Sequence, residues 1–259
     1  MPVPIRSAED IEAIARAGEV VWRVLDEMVG VCAPGVTSRE LDARCERRLR
    51  ELGAEAVLRG FRDGATPGFP GVCCVNINEQ IAHATPSERA IVPGDVVSID
   101  LTAGVGGWIA DACRSVVVPG GASTESTRLV GATREALARM LRWCRAGERW
   151  SSVAAAASGA ARQGGFRLVP GLAGHGVGRA VHEPPLCWLG SPGPDFVLRP
   201  GMILTLEPIL TASDGGMRSL DDRWTIVALD GAISAGEERT IAITRRGARV
   251  LTGPDPREA

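Results

Sequence analysis

The chain of 259 residues contains no lysine and no tyrosine, and each absence excludes a class of chemistry. All 29 of its basic residues are arginine. A Schiff base, a pyridoxal-phosphate anchor and the P-loop of nucleotide-binding proteins each require a lysine amine, so these mechanisms are excluded. Without tyrosine there is no phenol to act as an acid or a base. Only three histidines are present, so the role of each can be considered separately.

Long apolar runs and paired cysteine motifs are also missing. No segment approaches the roughly 18 consecutive apolar residues of a membrane span, and the N-terminal sequence lacks the apolar core of a signal peptide. The seven cysteines include no Cys-x-x-Cys pair, which favours reduced, buried thiols over disulfides or a zinc knuckle. The net charge of −2 gives no reason to expect nucleic acid or a membrane as partner. We therefore expect a cytoplasmic protein.

Hydrophobic residues make up 45% of the chain, which is enough for the core of one large domain. No linker divides the sequence, so we expect a single domain over residues 1–259. Apolar residues at helical spacing predict a first helix over residues 7–29, and Ser7 and Asp10 suit its N-terminal cap. A second helix is predicted from the capping box Thr37-x-x-Glu40 to Gly53. Strand patterns occupy residues 72–77, 95–102, 108–118, 203–210, 224–229 and 239–244.

The order of helix, break, helix, glycine and strand occurs twice in the sequence. The segment CAPGVTSREL at 32–41 can be laid over CRAGERWSSV at 144–153, which is an offset of 112 residues. The match is weak residue by residue, but the shared order of elements favours an internal duplication over chance. We therefore predict two pseudo-equivalent halves, at about residues 7–118 and 126–244.

Two aspartates in the segment VVSIDLTAGVGGWIADACRSVVV indicate a bound cation. A hairpin centred between Val105 and Gly106 would place Asp100 directly opposite Asp111, with their Cβ atoms roughly 5 Å apart. Two surface aspartates beside a turn are the alternative. However, apolar neighbours indicate that the strands are buried on at least one face, where paired carboxylates are costly without a counter-ion. A divalent metal would remove that cost.

The segment GHGVGRAVHEPP contains two of the three histidines, His175 and His182, among glycines that allow close approach of backbone or ligand. Its glycines do not have the spacing of a dinucleotide-binding fingerprint, and a purely structural histidine is the alternative. Glu207 lies within the apolar segment ILTLEPIL, and Glu238 lies at the start of a strand. Either glutamate could be an ordinary exposed charge. That alternative is weaker for Glu207, because the residues around it are apolar. His83, in IAHATP, indicates little by itself.

Together these segments resemble the type I methionine aminopeptidases, which have the pita-bread fold. The matching segments occur in the family's order from residue 7 to about 252; they are PGVTSREL, CVNINEQIAHATP, SIDLT, ADACRS, GHGVGRAVHEPP, RPGMILTLEP, DRWTIV and EERTIAIT. The resemblance implies an α+β fold of two pseudo-symmetric halves, with a curved antiparallel sheet and outer helices. It also implies removal of the N-terminal methionine from proteins whose second residue is small.

The resemblance further implies a site with two divalent metal ions. Its five metal ligands fall on Asp100, Asp111, His175, Glu207 and Glu238. Because oxygen-rich ligands with one imidazole suit Mn²⁺, Fe²⁺ or Co²⁺, we expect one of these metals, with Zn²⁺ as a further possibility.

The implied reaction is metal-assisted peptide hydrolysis. In it, Glu207 accepts a proton, His182 hydrogen-bonds the scissile carbonyl, and His83 contacts the substrate near the scissile nitrogen. The implied partners are nascent polypeptide N-termini, met at the ribosome or free of it, and the family is typically monomeric. The residues implied to bind the substrate are Phe69, Cys74, His83, Val181, His182 and Trp224.

The sequence also departs from the family's pattern, mainly around the methionine pocket. The loop 59–70 reads RGFRDGATPGFP and lacks the usual tyrosine and histidine, and Val181 stands where bulkier aromatic residues are common. Ala112, Arg239 and Pro184 replace a common threonine, histidine and glutamate. None of these changes removes a metal ligand. They predict a looser methionine pocket and leave the reaction type unchanged.

Two other functions fit the same fold. An X-Pro peptidase or creatinase-like hydrolase usually carries an extra N-terminal domain, whereas residue 7 already begins the first helix here. A binding protein that has lost catalysis loses metal ligands, whereas all five are retained in this sequence. We therefore expect an active aminopeptidase.

Overall fold

The structure, a computed structural model, describes residues 2–213 and 215–258. Within those residues it has four α-helices, which are α1 (Ala8–Gly30), α2 (Ser38–Glu51), α3 (Thr124–Trp143) and α4 (Trp150–Gly164). It has fourteen strands, which are β1 (Cys74–Ile77), β2 (Gln80–Ala82), β3 (Val96–Val105), β4 (Trp108–Val117), β5 (Arg167–Leu168), β6 (Ala173–Gly176), β7 (Glu183–Trp188), β8 (Ile203–Leu206), β9 (Ile209–Thr211), β10 (Met217–Ser219), β11 (Ile226–Ala228), β12 (Ser234–Gly236), β13 (Arg239–Thr244) and β14 (Gly247–Val250). None of the described helices is long and apolar enough to cross a membrane.

Capping side chains fix where the first two helices begin, as the sequence predicts. The Ser7 hydroxyl accepts from the Asp10 N–H, and the Asp10 carboxylate accepts from the Ser7 N–H. Thr37 and Glu40 form the same reciprocal pair at the start of α2, and such a cap stabilises a helix by about 1 kcal/mol. Gly53 follows α2 with φ 67°, a conformation that suits glycine.

The strands form two larger antiparallel sheets, each covered on one face by helices. The order is β1-β3-β4 in the first and β14-β13-β8-β6-β7 in the second. Helix α1 packs on β3 and β4 and buries Ile14, Val21 and Leu25 against them. In the second half, Leu141 of α3 shares a core with Ile241 of β13. The helices therefore leave the opposite faces of both sheets free to form a site.

The β3–β4 hairpin has a different register from the predicted one. Its two-residue turn is Gly106-Gly107, with φ 59° and 72°, because two glycines accept the left-handed conformations that tight hairpin turns require. The turn is one residue later than predicted, so Cys113 lies directly opposite Asp100 and the prediction that Asp111 does so is wrong. Because the shift moves the pairing by two positions, Asp100 and Asp111 stay on the same face as diagonal neighbours.

The longer strands agree with the sequence pattern, and several of the short ones do not follow from it. Each of the six predicted segments contains a strand, although 203–210 is divided by Glu207 and Pro208 into β8 and β9. Strands β2, β5, β6, β7, β10, β12 and β14 were not predicted, and each has two to six residues. Segments this short carry little alternation of apolar and polar residues, so tertiary pairing decides their conformation.

The second pair of helices lies about as far along the chain as the predicted repeat requires. Helix α4 begins at Trp150, which is 112 residues after the start of α2 at Ser38. Gly53 and Gly165, at the same offset, both have positive φ. These positions are compatible with an internal duplication, and the division into halves at about 7–118 and 126–244 remains our proposal.

Candidate metal centre and active site

The five predicted metal ligands meet where the two larger sheets adjoin. Asp100 on β3 and Asp111 on β4 come from the first sheet. His175 lies on β6, Glu207 directly follows β8, and Glu238 directly precedes β13, so these three come from the second. Ligand atoms of Asp111, His175 and Glu238 all lie within 4.8 Å of one another, and all three residues are buried.

Alternation along each strand explains why charged side chains can lie in this interior. On β3, Ile99 and Leu101 belong to the core under α1, so Asp100 and Thr102 face the other way. On β4, Ala110 and Ala112 belong to that core and Asp111 faces the site. One face of the hairpin therefore packs against a helix, and the other supplies ligands.

Specific hydrogen bonds hold the two sheets together at the site. The Thr240 hydroxyl accepts from the Asp111 N–H at 2.9 Å and donates to the Asp111 carbonyl at 2.8 Å. The Glu238 N–H donates to the Cys113 carbonyl at 2.9 Å, and the Cys113 N–H donates back at 3.4 Å. We call this junction the seam. It fixes the backbones of Asp111 and Glu238 relative to each other.

The histidine of the cluster has the tautomer that a metal ligand needs. Its Nδ1 lies 3.0 Å from the Gly176 carbonyl oxygen, which can only accept, so Nδ1 carries the proton. The unprotonated Nε2 then faces Asp111 Oδ2 at 3.9 Å and Glu207 Oε1 at 3.7 Å. Burial lowers the pKa of His175 to about 4, so the ring is neutral at pH 7 and its lone pair is available.

The glycines beside His175 are required by close backbone contacts. A Cβ atom at Gly174 would lie 2.7 Å from the Thr205 carbonyl oxygen, and one at Gly176 would lie 2.5 Å from the Pro184 carbonyl oxygen. Either distance is too short for a real side chain. The glycine-rich segment therefore allows β6 to lie close to β8 and to β7.

The carboxylates are held in a state that disfavours their charge. Burial, with a smaller contribution from the Asp111 charge, raises the pKa of Glu207 to about 8. Burial also raises the pKa of Asp100, Asp111 and Glu238, and repulsion from neighbouring carboxylates adds to the effect at Asp100 and Glu238. Asp111 Oδ1 and Glu238 Oε1 are buried and have no hydrogen-bond partner among the described residues.

This arrangement fits a divalent cation. Buried acceptor oxygens without a partner cost free energy, and a cation would satisfy them and offset the repulsion. Four carboxylates and one neutral imidazole form a donor set of the kind that divalent transition metals bind. The residues present therefore pass the chemical test for a metal centre.

The sequence as a whole decides the class of this site. Residues 12–245 match the sequence model of metallopeptidase family M24. The chain belongs to metallopeptidase family M24. Family membership and the buried Asp–His–Glu cluster together indicate that the centre binds divalent metal and that the chain is a hydrolase.

Members of the M24 family match this chain over nearly its full length. The methionine aminopeptidase of Treponema pallidum is 37% identical over 256 residues, which are 97% of each sequence. The crystal structure of methionine aminopeptidase from Thermotoga maritima has a TM-score of 0.91 at 32% identity and covers 98% of this chain and 100% of its own. A prolidase structure from Thermococcus sibiricus has a TM-score of 0.75 at 27% identity and covers 98% of this chain and 61% of its own.

These matches confirm two predictions made from the sequence. The fold is the pita-bread fold shared by methionine aminopeptidases and prolidases, and the resemblance to methionine aminopeptidases is real. Since the aminopeptidase structure is more similar than the prolidase structure, the X-Pro alternative is not favoured.

Beside the M24 metal centre lies an apolar wall built around Trp224. This indole is buried, and its Nε1 donates to the Pro67 carbonyl at 3.0 Å. The Phe69 ring meets it edge-on at 5.3 Å, and the His83 ring lies edge-on at 6.3 Å. Three of the residues predicted to bind substrate are thus brought together.

The remaining predicted pocket residues lie between this wall and the metal centre. The His182 ring is 4.4 Å from the His175 ring, and the preceding residue, Val181, is buried. Cys74 is buried and pairs directly with Asp100 across β1 and β3, so both side chains lie on one face of the sheet. The wall and the metal centre therefore form one continuous site.

His83 has a strained backbone that the surroundings hold in place. Its φ of 54° lies in the left-handed region that non-glycine residues rarely adopt. The next two N–H groups donate to side chains, Ala84 to Asn76 Oδ1 at 2.9 Å and Thr85 to Thr225 Oγ1 at 3.2 Å. Such strain is typical of functional positions. Burial and the nearby His182 lower the pKa of His83, so its ring is neutral at pH 7.

Phe61 belongs to the site, although the sequence did not single it out as a substrate residue. Its ring meets His182 edge-on at 5.5 Å and lies 6.4 Å from Trp224. The loop 59–70 therefore places one aromatic ring over the space between the two. The one signal in the sequence for a role of Phe61 was that it is aromatic and lies in a loop with few other aromatic side chains.

Three threonines that support the ligands were also missed. Thr102 lies opposite Asp111 in the β3–β4 pair and lowers the pKa of that carboxyl, which burial raises. The Thr205 hydroxyl donates to Glu207 Oε1 at 2.6 Å. Thr240 binds both backbone groups of Asp111. Each threonine is two residues from a predicted ligand, which is the spacing that puts two side chains on one face of an extended chain. That spacing was a usable signal.

Proposed function

We propose that this chain is a methionine aminopeptidase that removes the N-terminal methionine from proteins and peptides, with preference for a small second residue. One observation carries the proposal. The buried Asp111–His175–Glu238 cluster, with carboxylate oxygens that lack partners, adjoins an aromatic wall centred on Trp224. The relatives from Treponema pallidum and Thermotoga maritima, which match this chain over nearly its full length, are both named methionine aminopeptidase.

The metal-binding part of the proposal assigns five ligands. Asp100, Asp111, His175, Glu207 and Glu238 would hold two divalent ions, with Mn²⁺, Fe²⁺ or Co²⁺ expected from the donor set and Zn²⁺ a further possibility. When bound, such ions lower the pKa of water and polarise a carbonyl group.

The side chains around the ligands would handle the proton and the developing charge. Glu207 is the proposed proton acceptor, because the Thr205 hydroxyl orients its Oε1, which lies 3.7 Å from the His175 ring nitrogen Nε2. His182 would donate a hydrogen bond to the scissile carbonyl as negative charge develops there. His83 would contact the substrate near the scissile nitrogen.

The wall around Trp224 would hold the methionine side chain. Phe69, Cys74, His83 and Val181 would complete the pocket together with Phe61. Aromatic rings suit a thioether, because each sulfur–aromatic contact contributes about 0.3–1.5 kcal/mol. A pocket bounded by aromatic rings and metal ligands would leave no room for a chain that continues before the methionine. This would explain why the enzyme acts only at chain ends.

The setting of the activity is part of the same proposal. The substrates would be the N-termini of nascent chains, met at the ribosome or after release, in the cytoplasm. The enzyme would act as a monomer and would require neither nucleic acid nor a membrane.

Hydrolysis of Met-Ala-Ser by metal-free protein, to which one metal is added at a time under anaerobic conditions, tests the function. We expect no cleavage without metal and recovery with Mn²⁺, Fe²⁺ or Co²⁺. An X-Pro dipeptide serves as the competing substrate. Preferential cleavage of that dipeptide would contradict the proposal, and full turnover by a sample shown metal-free by elemental analysis would contradict the metal mechanism.

A further inference from the structure

A buried arginine lies directly behind the metal centre. Arg239 follows the proposed ligand Glu238, and its side chain is only 7% exposed. Its Nη1 donates to the Glu238 carbonyl at 2.7 Å and to the Cys113 carbonyl at 3.3 Å. These two carbonyls belong to the residue pair that bridges the seam, so one guanidinium group holds both sides of it.

The surroundings of Arg239 come from helix α1 and from the segment between β12 and β13. Its Cζ lies 4.2 Å from the ring centroid of Trp22 on α1, and its Nη1 lies 3.7 Å from Glu237 Oε2. Its Nε is buried and has no hydrogen-bond partner among the described residues. A buried guanidinium with an unpaired donor is costly to fold. Its presence at this place therefore calls for a function other than stability.

Glu238, like Glu207, is a ligand that no strand holds in place. Strand β12 ends at Gly236 and β13 begins at Arg239, so Glu238 lies between two strands and outside both. Its backbone is held by the bridge to Cys113 and by Arg239. Its carboxylate must nevertheless stay close to Asp111 across the seam.

We propose that Arg239 is a positioning residue that fixes the Glu238 carboxylate opposite Asp111 for metal binding. The inference rests on the proposed function, because it needs the metal centre. Arg239 does not touch substrate, and its side chain faces Trp22 on the helical side of the sheet. It acts through the backbone of its neighbour, as the outer partners of metal ligands commonly do.

Binding of Mn²⁺ to metal-free protein, measured by anaerobic calorimetry, tests the proposal. Arg239→Met keeps the length of the side chain and removes its donors, and it should bind Mn²⁺ about 10–100-fold more weakly. Arg239→Lys keeps one cationic donor but lacks the planar guanidinium group. Its affinity for Mn²⁺ should therefore lie between that of the unaltered protein and that of Arg239→Met. At saturating Mn²⁺, the KM for Met-Ala-Ser should be unchanged in both variants.

Arg114→Met is the matched control. Arg114 also stacks over Trp22, at 4.7 Å, and it pairs with Asp26 of α1. No hydrogen bond joins its side chain to the Glu238 segment among the described residues. Its replacement should lower the melting temperature of the metal-free protein at least as much as Arg239→Met does, and should leave the Mn²⁺ affinity close to that of the unaltered protein.

The remaining outcomes separate the inference from the function on which it rests. Tighter Mn²⁺ binding by Arg239→Met would show that charge repulsion outweighs positioning, and equal losses in Arg239→Met and Arg114→Met would show a packing effect; either overturns the inference. If Arg239→Met does not fold, unchanged Mn²⁺ affinity in Arg239→Lys overturns it. Failure of the unaltered protein to bind Mn²⁺ would overturn the proposed metal centre itself.

Discussion

At the scale of single residues, the candidate centre is a set of acids that the fold keeps close together at a cost. Asp100, Asp111, Glu207 and Glu238 all have raised pKa values, chiefly because they are buried. No described side chain donates to Asp111 Oδ1 or Glu238 Oε1. The stability of this centre in the absence of metal is therefore low, and its affinity for cations should be high for the same reason.

Replacement of one acid should separate activity from stability. Asp111→Asn removes one of the charges that repel each other, so the metal-free variant should melt at the same temperature as the unaltered protein or higher. It should lose kcat/KM for Met-Ala-Ser by orders of magnitude, and metal should no longer raise its melting temperature. Calorimetry and a peptide assay on the same samples measure both effects, with the exposed Asp221→Asn as control. A variant that keeps normal turnover would remove Asp111 from the centre.

His182 should matter for catalysis and not for metal content. Its ring lies 4.4 Å from that of His175 but does not belong to the cluster of ligand atoms. His182→Ala should therefore lower kcat by roughly 10²–10³, the usual scale for one lost oxyanion donor, at unchanged metal stoichiometry. Steady-state kinetics and elemental analysis are the measurements. Loss of metal from the variant would mean that the roles of the two histidines have been assigned wrongly.

At the scale of elements, the loop 59–70 and the segment after β6 would set the shape of the proposed methionine pocket. The loop is fixed at Pro67 by the Trp224 indole, and Phe61 fills part of the space beside His182. Val181 contributes only a small apolar side chain to the same wall. The pocket is thus apolar and ringed on one side, and lower on the side of Val181.

Val181→Phe should sharpen selectivity, because it raises that low side of the pocket. The ratio of kcat/KM for Met-Ala-Ser to that for Leu-Ala-Ser should increase, within the range of about 1–3 kcal/mol that one such contact contributes. Phe61→Ala should change the ratio in the opposite direction. An unchanged ratio in Val181→Phe would show that the pocket of the natural protein is already closed.

Trp224→Ala tests whether the wall binds the side chain in both the ground and the transition state. Because such contacts are common to both states, KM for methionine substrates should rise more than kcat falls. Kinetics with Met-Ala-Ser over a wide concentration range measure the two separately. A fall in kcat at constant KM would instead indicate that Trp224 positions His83, whose ring lies 6.3 Å away.

At the scale of the whole molecule, the candidate metal centre joins the two larger sheets, so metal binding and stability should be coupled. Asp100 and Asp111 come from one sheet, and His175, Glu207 and Glu238 come from the other. A cation bound by all of them would link the sheets, in addition to the hydrogen bonds of the seam.

The metal-free protein should lose stability as the pH rises from about 6.5 to 8. Glu207 has a folded-state pKa of about 8 against 4.5 for the ordinary group, so the folded state holds a proton that the unfolded state has released in this range. Stability is therefore greatest below the unfolded value and is lost as pH rises through the folded one. The buried histidines, with lowered pKa, act in the opposite direction but only below about pH 6.5.

Melting temperatures of metal-free and Mn²⁺-loaded protein across this range check the prediction. The loaded protein should show little or no decline, because metal binds the ionised carboxylates and its affinity increases with pH. An equal decline in both samples would mean that groups outside the centre cause it.

The sequence by itself determined the local structure and the chemical identity of the site. Helix starts at Ser7 and Thr37 followed from capping boxes, because those contacts join residues three apart. Paired aspartates in apolar segments indicated a bound cation, and the resemblance to methionine aminopeptidases implied the full set of ligands. The long strands followed from alternation, since each carries enough residues to show it.

Only the tertiary structure decided how these parts meet. The hydroxyl of Thr240 binds Asp111 across 129 positions of sequence, and Arg239 binds Cys113 across 126. Phe61 likewise became part of the site only when its loop folded over Trp224. Contacts between residues so far apart leave no local pattern, because their energy depends on packing that exists only once distant segments of the chain have folded together.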